Sequence, residues 1–161
     1  MIVPIGRLVR GDWETLRAVR LEALADAPYA FGSTHAEEAA LDDEAWELRI
    51  TEQAWFVALD ASGPVGVASG GQLRDPDPGV RTLRSMWVHE SFRGRSVAEA
   101  LLGEVAAWAR GDGAVTLTLW ATRDAARARA FYAKAGFIAT GEVREMDPAR
   151  PVEMARYELT L

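Results

Sequence analysis

The apolar positions of this chain change period several times, and each change marks an element. Ile2 to Val9 is an apolar run that reads as an opening strand. Gly11-Asp12 then supplies an N-cap, and Leu16, Val19 and Leu24 recur on one helix face. Pro28 breaks that helix, Thr34 with Glu37 makes a capping box for a second helical region, and Asp42 restarts the pattern with Trp46 and Ile50 on one side. The segment "AWFVALD" is a short continuous apolar strand, Gly63-Pro64 predicts a turn, and a strand rich in Gly and Val follows, so the two form a hairpin. A polar turn, "RDPDPG", leads into a third strand from Arg81 to Val88, which extends an antiparallel meander.

Beyond Val88 the organisation changes. Val97, Leu101, Val105 and Trp108 follow a helical period, and "RGDGA" ends that helix with glycines. Val115 to Ala121 reads as a strand, Ala125 to Ala135 as a helix with Gly136 at C′, and Phe137 to Thr140 as the start of another strand. After Pro148 and Pro151, "VEMARYELTL" alternates as a final strand. Strand, crossover helix and strand across "SFRGRSV" form a βαβ unit, whose two strands run parallel. The fold expected is α/β: a mixed sheet, antiparallel in its first half and parallel at its centre, flanked by helices, in a single domain over residues 1–161.

Composition narrows the function. With 161 residues and 49% hydrophobic content, one core forms without disulfides or a structural metal. The chain has no cysteine, which excludes thiolate zinc sites and a cysteine nucleophile and fits a reducing cytoplasm; its two histidines, His35 and His89, are isolated and offer no metal-ligand spacing. Pro4, Arg7 and Arg10 interrupt the N-terminal apolar run, so neither a secretory signal nor a membrane anchor is expected. A net charge of −6 disfavours a nucleic-acid surface and tolerates a cationic amine substrate.

One turn carries candidate chemistry. In a βαβ unit the helix start lies at the carboxyl edge of the sheet, where unpaired N–H groups and the helix dipole favour an anion. Arg93, Gly94, Arg95 and Ser96 fall at that point. With one glycine and no Lys-Ser/Thr pair, the turn is neither a P-loop nor a dinucleotide fingerprint. Alone, it reads better as two arginines capping a solvated turn that Gly94 relaxes.

Its context adds more. "SMWVHESFRGRSVAEALL" followed by "LTLWATRDAARARAFYAKAGF" resembles the GNAT acetyltransferase superfamily in order and spacing, over nearly the whole chain. In that family Arg/Gln-x-x-Gly-x-Gly/Ala wraps the pyrophosphate of acetyl-CoA. Here the pattern falls on Arg93, Gly94, Arg95, Ser96, Val97 and Ala98, with Ala98 matching its last position and Ser96 standing at its central glycine. A serine in the first helical turn keeps its backbone N–H for the phosphates. A second family pattern, Asn-x-x-Ala-x-x-x-Tyr before Gly-Phe, aligns with Ala128, Tyr132 and Gly136-Phe137, and Ala125 replaces its asparagine, which in the family helps hold the pantetheine arm.

The resemblance implies roles. Tyr132 is the acid that protonates the departing thiolate, against the alternative of a core aromatic beside Phe131. The main chain at Val88 pairs with pantetheine, and Trp87 and Trp120, near the ends of adjacent parallel strands, are pocket walls or ordinary core. No general base stands out: His89 reads as a solvated turn residue and His35 as part of a helix cap, and a water chain serves equally well. Glu37, Glu38, Asp42, Asp43 and Glu44 read as an exposed acidic helix face. The expectation is an acetyl-CoA-dependent N-acetyltransferase that uses no metal and acts on a small-molecule amine by direct attack in a ternary complex, with a homodimer admitted. The alternatives are a degenerate acyl-CoA-binding or regulatory module and a protein or peptide N-acetyltransferase.

Overall fold

Apolar runs too continuous for a half-exposed sheet require cover on both faces, and the computed structural model, which describes residues 2–72, 75–147 and 150–161 with Arg150 by its backbone alone, provides it. The order is β1 (Ile5–Arg7), α1 (Trp13–Asp26), α2 (His35–Ala39), α3 (Asp43–Glu52), β2 (Ala54–Asp60), β3 (Gly63–Gly71), β4 (Val80–Val88), α4 (Val97–Gly111), β5 (Thr116–Thr122), α5 (Ala126–Lys134), β6 (Ile138–Asp147) and β7 (Arg150–Thr160). Among the described residues these strands form one sheet in the order β1-β2-β3-β4-β5-β7-β6. Only β4 and β5 pair in parallel, across the expected helix crossover. Every other neighbouring pair is antiparallel.

The pleat divides the buried residues between two cores. In β2, Phe56 and Ala58 join α4 residues Val97, Leu101 and Val105, whereas Trp55 and Val57 join Leu16, Val19, Trp46 and Ile50 of α1 and α3. Gly70 lets α4 pack close against β3, because a Cβ there would lie 2.6 Å from the Trp108 ring. Arg81, itself buried, donates from Nε to Asp112 Oδ2 at 2.8 Å and from Nη2 to the Asp112 carbonyl at 2.9 Å, which joins the start of β4 to the end of α4.

Several local expectations need correction. The opening strand is Ile5–Arg7 rather than the whole run from Ile2 to Val9, because β1 is an edge strand and Pro4 has no N–H to donate. The β2–β3 turn lies at residues 61 and 62, where Asp60 Oδ1 accepts from the Ser62 amide at 2.7 Å, and Gly63 opens β3 at φ 119°. Asp12 precedes α1 but accepts from the Val9 amide at 2.7 Å instead of capping the helix. The Thr34–Glu37 capping box is present, and Asp42 caps α3 through the Ala45 amide. The expected turn "RDPDPG" begins at Arg74, which with Pro148, the proline first expected to precede the last strand, lies outside the described residues. Among the described residues no helix is long and apolar enough to cross a membrane.

Candidate active site

The central parallel pair lasts only from Val80–Thr116 to Thr82–Thr118, where the two threonine hydroxyls meet at 3.1 Å. Beyond that point β4 and β5 share no further pairs, although both continue to Val88 and Thr122. The strands therefore part at their carboxyl ends and leave main-chain groups of β4 open on that side. This opening lies at the sheet edge where α4 begins.

A bulge re-aims β4 within the opening. The β3–β4 register runs Val67–Trp87 and then Ser69–Arg84, so Ser85 and Met86 together oppose Ala68. Ser85 sits at φ 58°, a left-handed conformation that costs an L-residue about 1–2 kcal/mol. Arg20 Nη1 donates to Ser85 Oγ at 3.1 Å. A hydrogen bond to a charged group contributes about 1.5–3 kcal/mol, enough to offset that strain.

Arg20 is in turn held by Glu38, with Nε to Oε2 at 3.1 Å and Nη2 to Oε1 at 2.5 Å. Arg49 Nη1 adds a contact to Glu38 Oε2 at 3.1 Å. Burial alone would raise the Glu38 pKa, but the two guanidiniums outweigh it and hold the carboxyl below its ordinary value. Glu38 is only 1% exposed, which corrects the reading of the whole acidic run as a solvated face. Asp43 and Glu44 of that run are exposed as expected.

The turn before α4 holds two left-handed residues, Gly94 at φ 74° and Ser96 at φ 62°. Ser96 is the N-cap of α4, not a residue of its first turn, so it occupies the conformation in which the family glycine is favourable. Its side chain makes no capping bond, and the first main-chain bond of the helix runs from the Ala100 amide to the Ser96 carbonyl. The amides of Val97, Ala98 and Glu99 are thus left without intrahelical partners at the positive end of a 15-residue helix. A pyrophosphate fits that donor set.

The two arginines differ. Arg93 turns back, donating from Nε to the Val88 carbonyl at 2.9 Å and from Nη2 to Asp26 Oδ2 at 2.8 Å. Asp26 also accepts from Trp87 Nε1 at 2.9 Å; this indole bond, followed by Arg93, holds its pKa below the ordinary carboxylate value against desolvation. Trp87 belongs to the core under α1, whereas Val88 belongs to the core under α4. Arg95 is exposed, with its guanidinium 5.5 Å from the Phe92 ring centroid. Trp120 is half-buried beneath the Arg144 guanidinium at 4.1 Å.

Tyr132 is 8% exposed and lies edge-on to Phe131 and Phe137, with ring centroids at 5.3 and 5.6 Å. It shares one core with Val88 at the end of β4 and Ala121 near the end of β5. Burial raises its pKa well above the ordinary phenol value, so the hydroxyl stays protonated at any working pH. Ala125 is the N-cap of α5 and makes no side-chain capping bond, as its missing polar group dictates.

His89 Nδ1 accepts from the Ser91 amide at 3.2 Å, and its Nε2 faces Glu22 at 3.7 Å. His35 is exposed at the first residue of α2. The candidate site thus gathers Tyr132, Val88 and the 93–98 turn, and adds Arg20, Ser85 and Asp26, which sequence reading did not single out, and Glu38, which it read as a surface acid. One signal was available for Arg20, which stands four residues from both Leu16 and Leu24 on a buried face.

Residues 17–137 match the acetyltransferase (GNAT) family, and the chain belongs to that family. It is an N-acetyltransferase, whose family chemistry is acetyl-CoA-dependent acyl transfer. The fold is shared with an acetyltransferase of the GNAT family from Streptococcus pneumoniae, at TM-score 0.81 and 16% identity over 99% of each chain. A ribosomal-protein-alanine N-acetyltransferase from Brucella melitensis matches at TM-score 0.80 and 21% identity over 99% of this chain and 100% of its own. A Salmonella typhimurium protein solved with its cofactor acetyl-CoA matches at TM-score 0.77 and 18% identity over 100% of this chain and 95% of its own. No curated protein matches the sequence.

Proposed function

We propose that this chain transfers the acetyl group of acetyl-CoA to a primary amine of a small molecule by direct attack in a ternary complex. The observation that carries this reading is the parting of β4 from β5 in the core that holds Tyr132, at the sheet edge where α4 begins uncapped. Acetyl-CoA brings a thioester, whose C–S bond breaks as the amine nitrogen forms the C–N bond. The amides of Val97, Ala98 and Glu99 and the guanidinium of Arg95 hold the pyrophosphate. The open side of β4 from Ser85 to the Val88 amide, the Val88 carbonyl being held by Arg93, aligns the pantetheine and polarises the thioester carbonyl.

Tyr132 acts as a hydrogen-bond donor to the sulfur. A thiol ionises near about 8.5 and a buried phenol well above 10.0, so full transfer of the phenol proton to a thiolate runs uphill. Donation without full transfer still stabilises the negative charge that develops on sulfur. The amine sheds its proton to water, since one His89 nitrogen already accepts a hydrogen bond, the other faces Glu22, and His35 lies exposed on α2. Exposed Asp43 and Glu44 on α3, with the net charge of −6, favour a cationic acceptor.

A peptide N-terminus is also a primary amine, and the Brucella neighbour is named for acting on ribosomal-protein alanine. Thiol release measured over a panel of amines, amino acids, antibiotics and peptides tests the reading. Turnover with a small amine is expected. Turnover with peptides alone would move the assignment to protein acetylation, and acetyl-CoA binding without any turnover would make the chain a binding module.

A further inference from the structure

We propose that Arg20, locked by Glu38, is a positioning residue for acetyl transfer, acting through Ser85 on the main chain of β4 from Ser85 to Val88. The kinetic part of this inference rests on the acetyl-transfer reading above.

The guanidinium is held by Glu38 and covered by Phe31, and Glu38 is itself held in place. Its two-point pair with Glu38 sets its plane, Arg49 holds Glu38 from α3, and the Phe31 ring lies 4.8 Å from Arg20 Cζ. Arg20 is 5% and Glu38 1% exposed, so solvent does not compete for either group. The remaining nitrogen, Nη1, points at Ser85 Oγ at 3.1 Å. Buried ion pairs give little net stability over apolar groups of equal volume, whereas a donor with a fixed direction is something leucines cannot supply.

That donor meets the strand at its most sensitive point. Ser85 begins the bulge, three residues beyond the last β4–β5 pair, at φ 58°. Rotation there carries Met86, Trp87 and Val88 with it. Trp87 Nε1 is held by Asp26 at 2.9 Å, so the segment is anchored at Ser85 by the α1–α2 ion pair and at Trp87 by the end of α1. Between these anchors runs the main chain that faces the opening.

Single-turnover acetyl transfer, acetyl-CoA titration and amide NMR spectra on Ser85 variants test the proposal. Ser85→Ala and Ser85→Gly are both expected to slow transfer about tenfold while the acetyl-CoA dissociation constant stays within about twofold, because loss of alignment acts on the reacting geometry. Ser85→Asn restores an acceptor and tolerates the left-handed conformation, and is expected to recover most of the rate. Glycine separates positioning from strain: it relaxes the backbone yet deletes the hydroxyl, so a wild-type rate in Ser85→Gly would overturn the proposal. The amide resonances of Met86, Trp87 and Val88 are expected to move in Ser85→Ala and in Arg20→Lys, and unmoved resonances in both would overturn it as well. Should wild-type protein transfer acetyl to no acceptor, the acetyl-transfer reading fails by itself, and the NMR comparison still decides whether Arg20 sets the strand.

Discussion

Arg93 Nη2 donates to Asp26 Oδ2 at 2.8 Å, so an arginine of the turn before α4 is tied to the last residue of α1. With its Nε on the Val88 carbonyl, Arg93 braces the turn from behind, and Arg95 is left as the cation facing outward. The two are expected to separate by experiment. Arg95→Ala weakens acetyl-CoA binding about five- to tenfold and flattens its salt dependence, with the melting temperature unchanged. Arg93→Ala weakens binding and lowers the melting temperature together. Calorimetric titration at two salt concentrations, with thermal melts, checks both.

Ser96 occupies a left-handed N-cap position. Relief of about 1–2 kcal/mol of strain is partly offset by the greater unfolded-state freedom of glycine, about 0.4–1 kcal/mol. Ser96→Gly should therefore raise the melting temperature by about 1–4 °C and leave acetyl-CoA affinity equal or tighter. A lower melting temperature would show that the hydroxyl stabilises the turn.

Glu38 titrates below its ordinary value of 4.5, so the stability it contributes is present above that pH and is lost as pH falls through the folded pKa. Glu38→Gln leaves Arg20 buried with its charge uncompensated, at a cost of about 3–5 kcal/mol near neutrality. The deficit should narrow as the pH drops below 4.5, where the wild-type protein loses the same interaction. Thermal melts of both proteins from neutral to acid pH read this directly.

Much of the fold was legible because its signals are local or periodic. The face Val97, Leu101 and Val105 marked α4, Thr34 with Glu37 marked a capped helix start, and the length of the crossover made β4 and β5 parallel. The 93–98 turn and Tyr132 enter the candidate site through resemblance to a known family. What escaped depends on pairing across the chain. Glu38 looks like one more surface acid until Arg20, 18 residues earlier, is folded against it. Asp26 gains its role only from Arg93, 67 residues later. The Ser85 bulge has no sequence mark, since a serine at positive φ is held there by a tertiary donor. Ser96 was placed inside the helix because periodicity gives the face of a helix more reliably than its first residue.

Tyr132 has a pKa raised above 10.0 by burial, so its stabilising contribution is complete below that pH and is lost as pH climbs from there toward the folded value. Wild-type stability should fall more steeply above pH 10.0 than that of Tyr132→Phe, which has no ionising group to bury. Chemical denaturation at neutral and alkaline pH provides the comparison.

The same variant, assayed for single-turnover acetyl transfer to a verified amine acceptor alongside direct acetyl-CoA titration, tests most directly whether the opening between β4 and β5 is where the acetyl group moves. Tyr132→Phe keeps the ring packed against Phe131 and Phe137 and deletes only the hydroxyl proposed to donate to sulfur. A hydrogen bond to a charged group contributes about 1.5–3 kcal/mol, so the transfer step should slow about 10- to 10²-fold while acetyl-CoA affinity stays within about twofold. A variant that binds acetyl-CoA and transfers acetyl at the wild-type rate would contradict that placement of the chemistry.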